Sequence, residues 1–429
     1  MRRDSESQPF GPNPKGNSGQ SWLKGAGSRK GQGTILCGLI MLGTAPAASA
    51  VPTYSVTEIV PSAGLTPGVS IHAEAVNENG QVAGWEKNPA TGTTNGFRWE
   101  TGSGITHVGD LPGGDYFSKA YGINNAGHVV GTSDFADKEQ DYQSKQGFIW
   151  KEGEGMTGLG SLPGGGDSSK AYDINNHGQV VGHASSSERY ADPYLWEEGR
   201  GMEGLESVPS DFDRSTSFSS ARAINDKGQV TGEYLSYTHP HALLWEEGGG
   251  VADLESWESG PERSNAYDLN EKGQVAGTSY THFGNFPMVW EEGEGWQALG
   301  PVHRGAAGGR ALGINDSGQV VGEFGQGLFE DETDAFFWEE GSGMRQLEGL
   351  IDPNSPYAGI DLESATDINN LGQVVAMGTG AIPSVRQNHA YLLTPQRVLP
   401  PEPVPAPSTL ALMGLGVMGL TRALRQKAS

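Results

Sequence analysis

The sequence predicts an all-β protein, a seven-bladed β-propeller of four-stranded blades that is closed by its N-terminal strand. The main observation is a short motif, Asn-x-x-Gly followed by Gln or His and then Val, which occurs seven times. Successive copies begin 45 to 54 residues apart, and a period of this length is typical of repeat architectures. The copies begin at Asn77, Asn124, Asn175, Asn225, Asn270, Asn315 and Asn369.

Each copy of the motif is predicted to be the turn of a β-hairpin. Asn in the first position of a type I turn can bond its own backbone two residues on, and Gly in the fourth position supplies a left-handed conformation. Apolar flanks, such as residues 171–174 before the turn and Val180-Val181 after it, indicate the two arms. A calcium loop is the alternative, but its twelfth position would be Ala184 instead of the Glu that such loops require. We therefore expect no metal in these turns.

Two further apolar runs in each period complete the blade. One run ends in tryptophan, and the other contains Leu or Met, as in residues 156–162. With the two hairpin arms they make four strands per period, which is the content of one propeller blade. We expect the tryptophans to pack between blades, with a row of sugar-stacking platforms as the alternative. They are Trp99, Trp150, Trp196, Trp245, Trp290 and Trp338, and Tyr391 lies near this register in the seventh copy.

The number of strands predicts how the ring closes. The leucine-containing strand occurs six times between repeats, and no copy follows the last tryptophan-type strand, which ends near Leu393. The missing copy is predicted at residues 54–60, where the mature chain begins. Pairing of this N-terminal strand with the last tryptophan-type strand would leave no open sheet edge. An open β-solenoid is the alternative, but solenoids carry distinct capping repeats, and none is evident.

Composition divides the chain into four segments. A short apolar run at 35–44 follows basic residues and precedes Ala48-Ser49-Ala50, which is the layout of a secretory signal. Cys37, the single cysteine, lies in this run, so the mature protein would have no disulfide. The segments are a signal peptide with a long n-region at 1–50, the seven-repeat propeller at 51–396, a proline-rich linker at 397–409, and a hydrophobic sorting or anchor segment with a basic tail at 410–429.

The order of elements at the C-terminus resembles the PEP-CTERM sorting domain of Gram-negative bacteria. Pro401, Glu402 and Pro403 lie in the proline-rich linker, an apolar run follows, and Arg422 and Arg425 lie in the basic tail. The resemblance implies that an exosortase recognises and cleaves this end of the chain, alongside exopolysaccharide production. It also implies export to the cell surface or extracellular matrix, with transient or permanent membrane association through the apolar segment from 410 to 421. A plain C-terminal membrane anchor is the alternative.

The repeat itself resembles the HAF family of bacterial extracellular repeats. The family's Ala-x-x-Ile-Asn-x-x-Gly-Gln-Val-Val-Gly element occurs at 171–182, and its aromatic-Trp-x-x-Gly element occurs at 194–199. The resemblance spans roughly residues 54–394. It implies an exported repeat protein with no catalytic residues to carry over.

Charge and motif content exclude several functions. The chain has 28 Lys plus Arg against 52 Asp plus Glu, a formal net charge of -24, and such a surface repels nucleic acid. No catalytic triad order, phosphate-binding loop or metal-ligand spacing stands out, so we predict no catalytic residue, metal or cofactor. We expect an exported, monomeric, non-enzymatic protein that is a binding or structural component of the cell surface or exopolysaccharide matrix. The alternative is a secreted polysaccharide lyase or glycoside hydrolase that uses acidic residues of the axial funnel, such as Asp115, Asp211 or Asp213.

The connections between strands predict where a ligand would bind. The turns after the first hairpin arm and after the tryptophan-type strand are nearly constant, whereas the other connections vary in length and content, as binding loops do. This variable rim carries aromatic and histidine side chains, which suit a carbohydrate because they combine a flat apolar face with hydrogen-bonding edges. Packing of the loops onto the blades is the alternative role. The candidate ligand residues are Tyr116, Tyr142, Tyr190, Tyr237, His239, His241 and His282.

Overall fold

The chain folds into seven four-stranded antiparallel sheets. Contacts run from the innermost strand of each sheet to that of the next, and from the last back to the first, so the sheets surround a common axis. The fold is therefore an all-β, seven-bladed β-propeller, as predicted. The computed structural model describes residues 52–62, 64, 68–136, 143–186, 191–205, 219–236, 239–254, 263–281, 284–300, 308–325, 333–379 and 388–396.

Strands follow one another along the chain with a single short 3-10 helix among the described residues. In the first half they are β1 (Thr53–Ile59), β2 (Ser70–Val76), β3 (Val82–Asn88), β4 (Thr93–Glu100), β5 (Gly104–His107), β6 (Ser118–Ile123), β7 (Val129–Ala136), β8 (Gln143–Lys151), β9 (Gly155–Gly158), β10 (Ser169–Ile174), β11 (Val180–Ala184), β12 (Asp192–Glu197) and β13 (Gly201–Gly204). In the second half they are β14 (Ser219–Ile224), β15 (Val230–Ser236), β16 (His239–Glu246), β17 (Gly250–Asp253), β18 (Ser264–Leu269), β19 (Val275–Thr281), β20 (Gly284–Glu291), β21 (Gly295–Ala298), β22 (Gly309–Ile314), β23 (Val320–Gly325), β24 (Thr333–Glu339), β25 (Gly343–Gln346), the helix at Glu348–Leu350, β26 (Asp361–Ile368), β27 (Val374–Thr379) and β28 (Asn388–Gln396).

The N-terminal strand closes the ring. β1 pairs antiparallel with β28, in a register that runs from Thr53 opposite Gln396 to Ile59 opposite Ala390. Tyr54 and Ile59 of β1 are each only 1 % exposed. β1 is thus the outermost strand of the seventh blade, next to β28, β27 and β26. The predicted closure is confirmed, and the alternative of an open solenoid is wrong.

The strand order separates the constant turns from the variable loops. In the first blade the order is β2, β3, β4, β5, so the hairpin arms are innermost and the leucine-containing strand is outermost. Because neighbouring strands are antiparallel, the β2–β3 and β4–β5 turns lie at one end of the blade. The β3–β4 loop and the crossover to the next blade lie at the other end. We call these the turn end and the loop end.

Close approach of the two hairpin arms explains a recurrent glycine. In six blades a glycine lies two residues after the first valine of the second arm. A Cβ at Gly84 would lie 2.1 Å from the backbone oxygen of His72, so no larger residue fits there without moving the backbone. The seventh blade has Ala376 at this position, and its innermost strand carries a second register shift that the other blades lack.

Apolar side chains fill the space between neighbouring blades. One cluster joins Val130 of the second blade to Ala171 and Tyr194 of the third. The tryptophan-type strands contribute to the same packing, since Trp99 and Trp150 are buried and the other four tryptophans of this register are half-buried. The expected packing role of these tryptophans is therefore confirmed.

Candidate functional site

The seven motif asparagines form a closed ring of hydrogen bonds around the axis at the turn end. The Asn175 side-chain oxygen accepts from backbone N–H groups two and four residues on, at 3.1 and 3.0 Å. Asn175 Nδ2 donates to the backbone oxygen of Asn225 in the next blade, at 3.1 Å. Every copy repeats this inter-blade bond, and the last runs from Asn369 to the backbone oxygen of Asn77, at 2.8 Å. Each asparagine therefore both shapes its own turn and joins two blades.

The residue after each asparagine builds a second closed ring. Its side-chain oxygen accepts the backbone N–H of its counterpart in the preceding blade, as Asp226 Oδ1 does from Asn176 at 2.7 Å. Glu78 Oε1 completes the circle by accepting from Asn370 at 3.1 Å. Only Asn, Asp and Glu occupy this position, a regularity that the sequence contains and that our sequence analysis missed. The members are Glu78, Asn125, Asn176, Asp226, Glu271, Asp316 and Asn370.

Three aspartates, Asp173, Asp268 and Asp367, line a cavity of about 310 Å³ at the turn end. Each carboxylate accepts one backbone N–H from its own strand and one from the next blade, and Asp367 Oδ2 accepts from Val76 at 2.8 Å. Burial raises the pKa of Asp367 to about 7, and burial followed by repulsion from Asp367 raises the pKa of Asp268. Because backbone groups engage all three carboxylates, these residues serve the fold.

We expect the propeller to lose stability as the pH rises from about 4 to about 7. The pKa of Asp367 is about 7 in the folded chain and 3.8 as the reference value, so the folded state binds the proton more tightly. The stabilisation by this proton is therefore complete below pH 3.8 and is lost as the pH rises to about 7. The expected loss in the free energy of unfolding is on the order of 1–4 kcal/mol. Denaturant unfolding at pH 5 and pH 8 measures the difference. Asp367→Asn should reduce the difference in unfolding free energy between the two pH values, whereas Asp316→Asn in the second ring should not. Equal pH dependence in Asp367→Asn and the wild type would contradict the role of the Asp367 proton.

Toward the loop end, aromatic and charged side chains meet between the first two blades. Trp85 stacks on His72 with ring centroids 3.8 Å apart, and Lys119 of the second blade places Nζ 3.5 Å from the Trp85 ring. Trp85 Nε1 donates to Glu74 Oε1 at 2.8 Å. Burial, followed by the Lys119 charge, lowers the pKa of His72 to about 4, so this imidazole is neutral at pH 7.

A similar group extends from the second blade to the fourth. The Tyr172 ring lies 5.7 Å from that of Tyr121 and 5.4 Å from that of His183. The Arg222 guanidinium carbon lies 4.7 Å from the Tyr172 ring centroid, and Arg222 forms an ion pair with Glu233 at 2.6 Å. Burial raises the pKa of Tyr121 and Tyr172, so both hydroxyls keep their protons at neutral pH. Ring faces, hydroxyls and charges in this combination suit a polar ligand such as a sugar.

Three of the predicted ligand residues lie in the described part of the chain, at separate places. Tyr116 is in the crossover before the second blade and is 54 % exposed. His239 and His241 are on β16 of the fourth blade, where Arg263 Nε donates to His239 Nδ1 at 3.0 Å. His241 is 7 % exposed, and its ring centroid lies 5.0 Å from that of Tyr234. Within the described residues no three His, Cys, Asp or Glu side chains are placed to hold a metal ion.

Other predicted residues lie outside the described ranges. They include four candidate ligand residues, two candidate acids and all of the sorting residues, and Asp115 is described and exposed. The residues outside are Tyr142, Tyr190, Tyr237, His282, Asp211, Asp213, Pro401, Glu402, Pro403, Arg422 and Arg425. Trp85, Lys119 and Tyr172 lie on inner strands and were not predicted, because the prediction rested on the loops that vary between repeats.

Two family models match parts of the sequence. One, described as a protein of unknown function (DUF3466), matches residues 114–243, and the other, the PEP-CTERM protein-sorting motif, matches residues 403–427. The second match indicates an exported protein that is sorted by an exosortase. It begins at Pro403, so Pro401 and Glu402 lie outside it, whereas Arg422 and Arg425 lie within it. No curated protein matches the sequence.

Solved structures with a similar fold share little sequence with this chain. A catalytically inactive virginiamycin B lyase from Staphylococcus aureus, with quinupristin, has 9 % identity and a TM-score of 0.47, over 80 % of this chain and 99 % of that chain. AofleA from Arthrobotrys oligospora has 13 % identity and a TM-score of 0.38, over 67 % of this chain and 91 % of that chain. Prolyl oligopeptidase B from Galerina marginata has 10 % identity and a TM-score of 0.44, over 65 % of this chain and 42 % of that chain. Similarities of this size support no inference about activity.

The described part of the chain contains no helix with the length and hydropathy needed to cross a bilayer. The predicted segment from 410 to 421 lies outside the described residues, so its membrane association stays a prediction.

Proposed function

We propose that this exported protein is a non-enzymatic, monomeric propeller that holds a polysaccharide at its loop end, as a HAF-type component of the cell surface or exopolysaccharide matrix. The observation that supports this function is the difference between the two ends of the propeller. At the turn end, two rings of hydrogen bonds engage the polar groups of all seven blades. At the loop end, the exposed ring of Tyr116 and the half-buried Trp85 accompany connections that vary from blade to blade. A polysaccharide suits such a surface because each sugar offers an apolar face and hydroxyl groups.

Residues 51–396 contain every strand of the closed ring, so this part of the chain is the material for a binding test. We expect it to bind at least one exopolysaccharide in a glycan array and in affinity electrophoresis. Tyr116→Ala should weaken the binding, since it removes an exposed ring without changing a buried contact. Leu371→Ala, at an exposed apolar side chain in a turn of the other end, is the matched control. Failure to bind any polysaccharide in either assay would contradict the proposed function.

A polysaccharide lyase or glycoside hydrolase is the second candidate. Burial raises the pKa of Asp110, and the carboxylates of Asp134 and Asp115 act in the same direction, as they would on a general acid. Asp134 also accepts the backbone N–H groups of Tyr116 and Phe117, so the three carboxylates lie beside the exposed tyrosine. Reducing-sugar release and unsaturated product, measured on every polysaccharide that binds, separate the two functions. Release that is lost in Asp110→Asn would establish the enzyme.

A further inference from the structure

Two lysines of the second blade share an aromatic ring at the loop end. Lys145 Nζ lies 3.8 Å from the Phe117 ring centroid, and Lys119 Nζ lies 6.0 Å from it. Lys119 Nζ also lies 3.5 Å from the Trp85 ring centroid. Aromatic faces attract ammonium groups, and they position the charge without neutralising it. Both ammonium groups therefore lie at the ring of Phe117, the residue that follows the exposed Tyr116.

Cations of the next two blades extend this group. Lys170 occupies the same repeat position as Lys119, five residues before the ring asparagine. Burial lowers the pKa of Lys170, and its charged neighbours Lys145 and Arg222 lower it further. Burial also lowers the pKa of Lys119. The Glu74 charge opposes this shift, and the charges of Lys145 and Lys170 add to it. The structure thus gathers cations that repel one another.

Within the described residues, ion pairs do not compensate these positive charges. Among the described residues, none of Lys119, Lys145 and Lys170 forms an ion pair or a side-chain hydrogen bond, whereas Lys151 at the turn end pairs with Glu198 at 2.9 Å. Burial raises the pKa of Glu74, an acid whose charge acts on Lys119, and so disfavours its charged form. Clustered ammonium groups that lack an ion pair among the described residues gain stabilisation from a further negative charge. A bound anion would supply it.

We propose that the basic-aromatic patch, formed by Lys119, Lys145 and Lys170 with the rings of Trp85 and Phe117, binds the carboxylates of an acidic polysaccharide built from uronic acids. This inference rests on the proposed function and specifies its ligand. A polyuronate fits because each sugar carries one carboxylate and one apolar ring face, which match the spaced cations and the exposed ring of Tyr116. Nucleic acid does not fit, because the acidic surface around a patch of this size repels a continuous row of phosphates.

Polygalacturonate and its fully methyl-esterified form are the matched ligands, because they share the same backbone and differ only in whether each carboxylate is free or a methyl ester. We expect titration calorimetry with residues 51–396 to give binding of the acid form that is at least about tenfold tighter than that of the ester and that weakens as salt is added. Neutral dextran and dextran sulfate complete the set. The acid form should also bind more tightly than dextran sulfate per charged group.

The protein variants isolate the patch from the rest of the surface. Lys119→Gln/Lys145→Gln/Lys170→Gln should lose at least about tenfold in affinity for polygalacturonate, while Lys151→Gln, a lysine at the other end of β8, should lose less than about twofold. The triple variant should unfold within about 5 °C of the wild-type temperature, since it removes both repulsion between like charges and attraction between lysines and rings. The single variant Lys170→Gln provides the same comparison with one change.

The outcomes distinguish this inference from the proposed function. Equal affinity of wild type and triple variant for polygalacturonate, or equal binding of the acid and the ester, would overturn the uronate site while leaving polysaccharide binding intact. Stronger binding of dextran sulfate that is lost in the triple variant would replace the carboxylate assignment by a general polyanion site. Absence of binding to every polysaccharide would overturn both.

Discussion

Deletion of residues 52–60 is expected to abolish cooperative folding of the propeller. β1 is the only partner on the outer side of β28, and it contributes the almost fully buried Tyr54 and Ile59. Tyr54 also packs with its ring centroid 6.2 Å from that of Phe337 in the neighbouring blade. Loss of the strand would remove this packing and expose a sheet edge, which we expect to cost more than about 5 kcal/mol, most of the stability of a typical domain. Thermal unfolding by calorimetry and gel filtration measure the loss of the transition and the onset of aggregation.

A control and a rescue make this expectation specific to the strand. Removal of residues 1–51 alone leaves β1 in place and should give a single, concentration-independent unfolding transition. A synthetic peptide of residues 52–60, added to the deleted chain, should restore part of the transition by strand addition. A deleted chain that unfolds cooperatively at the wild-type temperature would show that β1 is not needed to close the ring.

The second large effect is expected for the inner ring of asparagines. The Asn225 side chain accepts the backbone N–H groups of residues 227 and 229, and its Nδ2 donates to the backbone oxygen of Asn270 at 3.1 Å. The residue is only 5 % exposed, so truncation leaves these groups buried without partners. Each such group costs about 1–3 kcal/mol, and Asn225→Ala should therefore lose about 3 kcal/mol or more. Denaturant unfolding measures the change.

Two companion variants separate the turn from the ring. Asn225→Asp keeps the acceptor for the turn and loses the donor to the next blade, so it should lose less than Asn225→Ala. Lys272→Ala changes an exposed side chain at the equivalent position of the next turn and should stay within about 0.5 kcal/mol of the wild type. If Asn225→Ala also stayed within that limit, the ring would not stabilise the blades.

Much of this architecture was predictable because its determinants are local or countable. The hairpin turns follow from the chemistry of Asn and Gly, and the number of blades follows from seven copies of one motif. The closing strand at Thr53–Ile59 followed from the absence of a leucine-containing strand after Leu393. The residues of the second ring were visible in the repeat as well, since Asn, Asp or Glu always follows the motif asparagine, but their role needs the neighbouring blade.

The candidate site was less predictable, because, apart from Tyr116, most of its residues lie on strands and not in loops. Lys119 and Lys170 alternate with buried alanines and are indistinguishable in sequence from solvent-facing strand positions. His241, two residues after His239, resembles an accessible ligand residue in the sequence, yet its ring packs against Tyr234 inside the blade. Burial of a given strand position depends on the adjacent blade, which no pattern within one repeat describes.

The sequence by itself determined the class of fold, the seven blades, the hairpin turns and the strand that completes the last sheet, because turn chemistry acts within a few residues and a repeat can be counted. Only the tertiary structure decided that the asparagines link into a continuous ring and that Lys119, Lys145 and Lys170 gather near one another. Both are consequences of closing the ring, which brings equivalent positions of separate repeats within hydrogen-bonding or electrostatic range around a common axis.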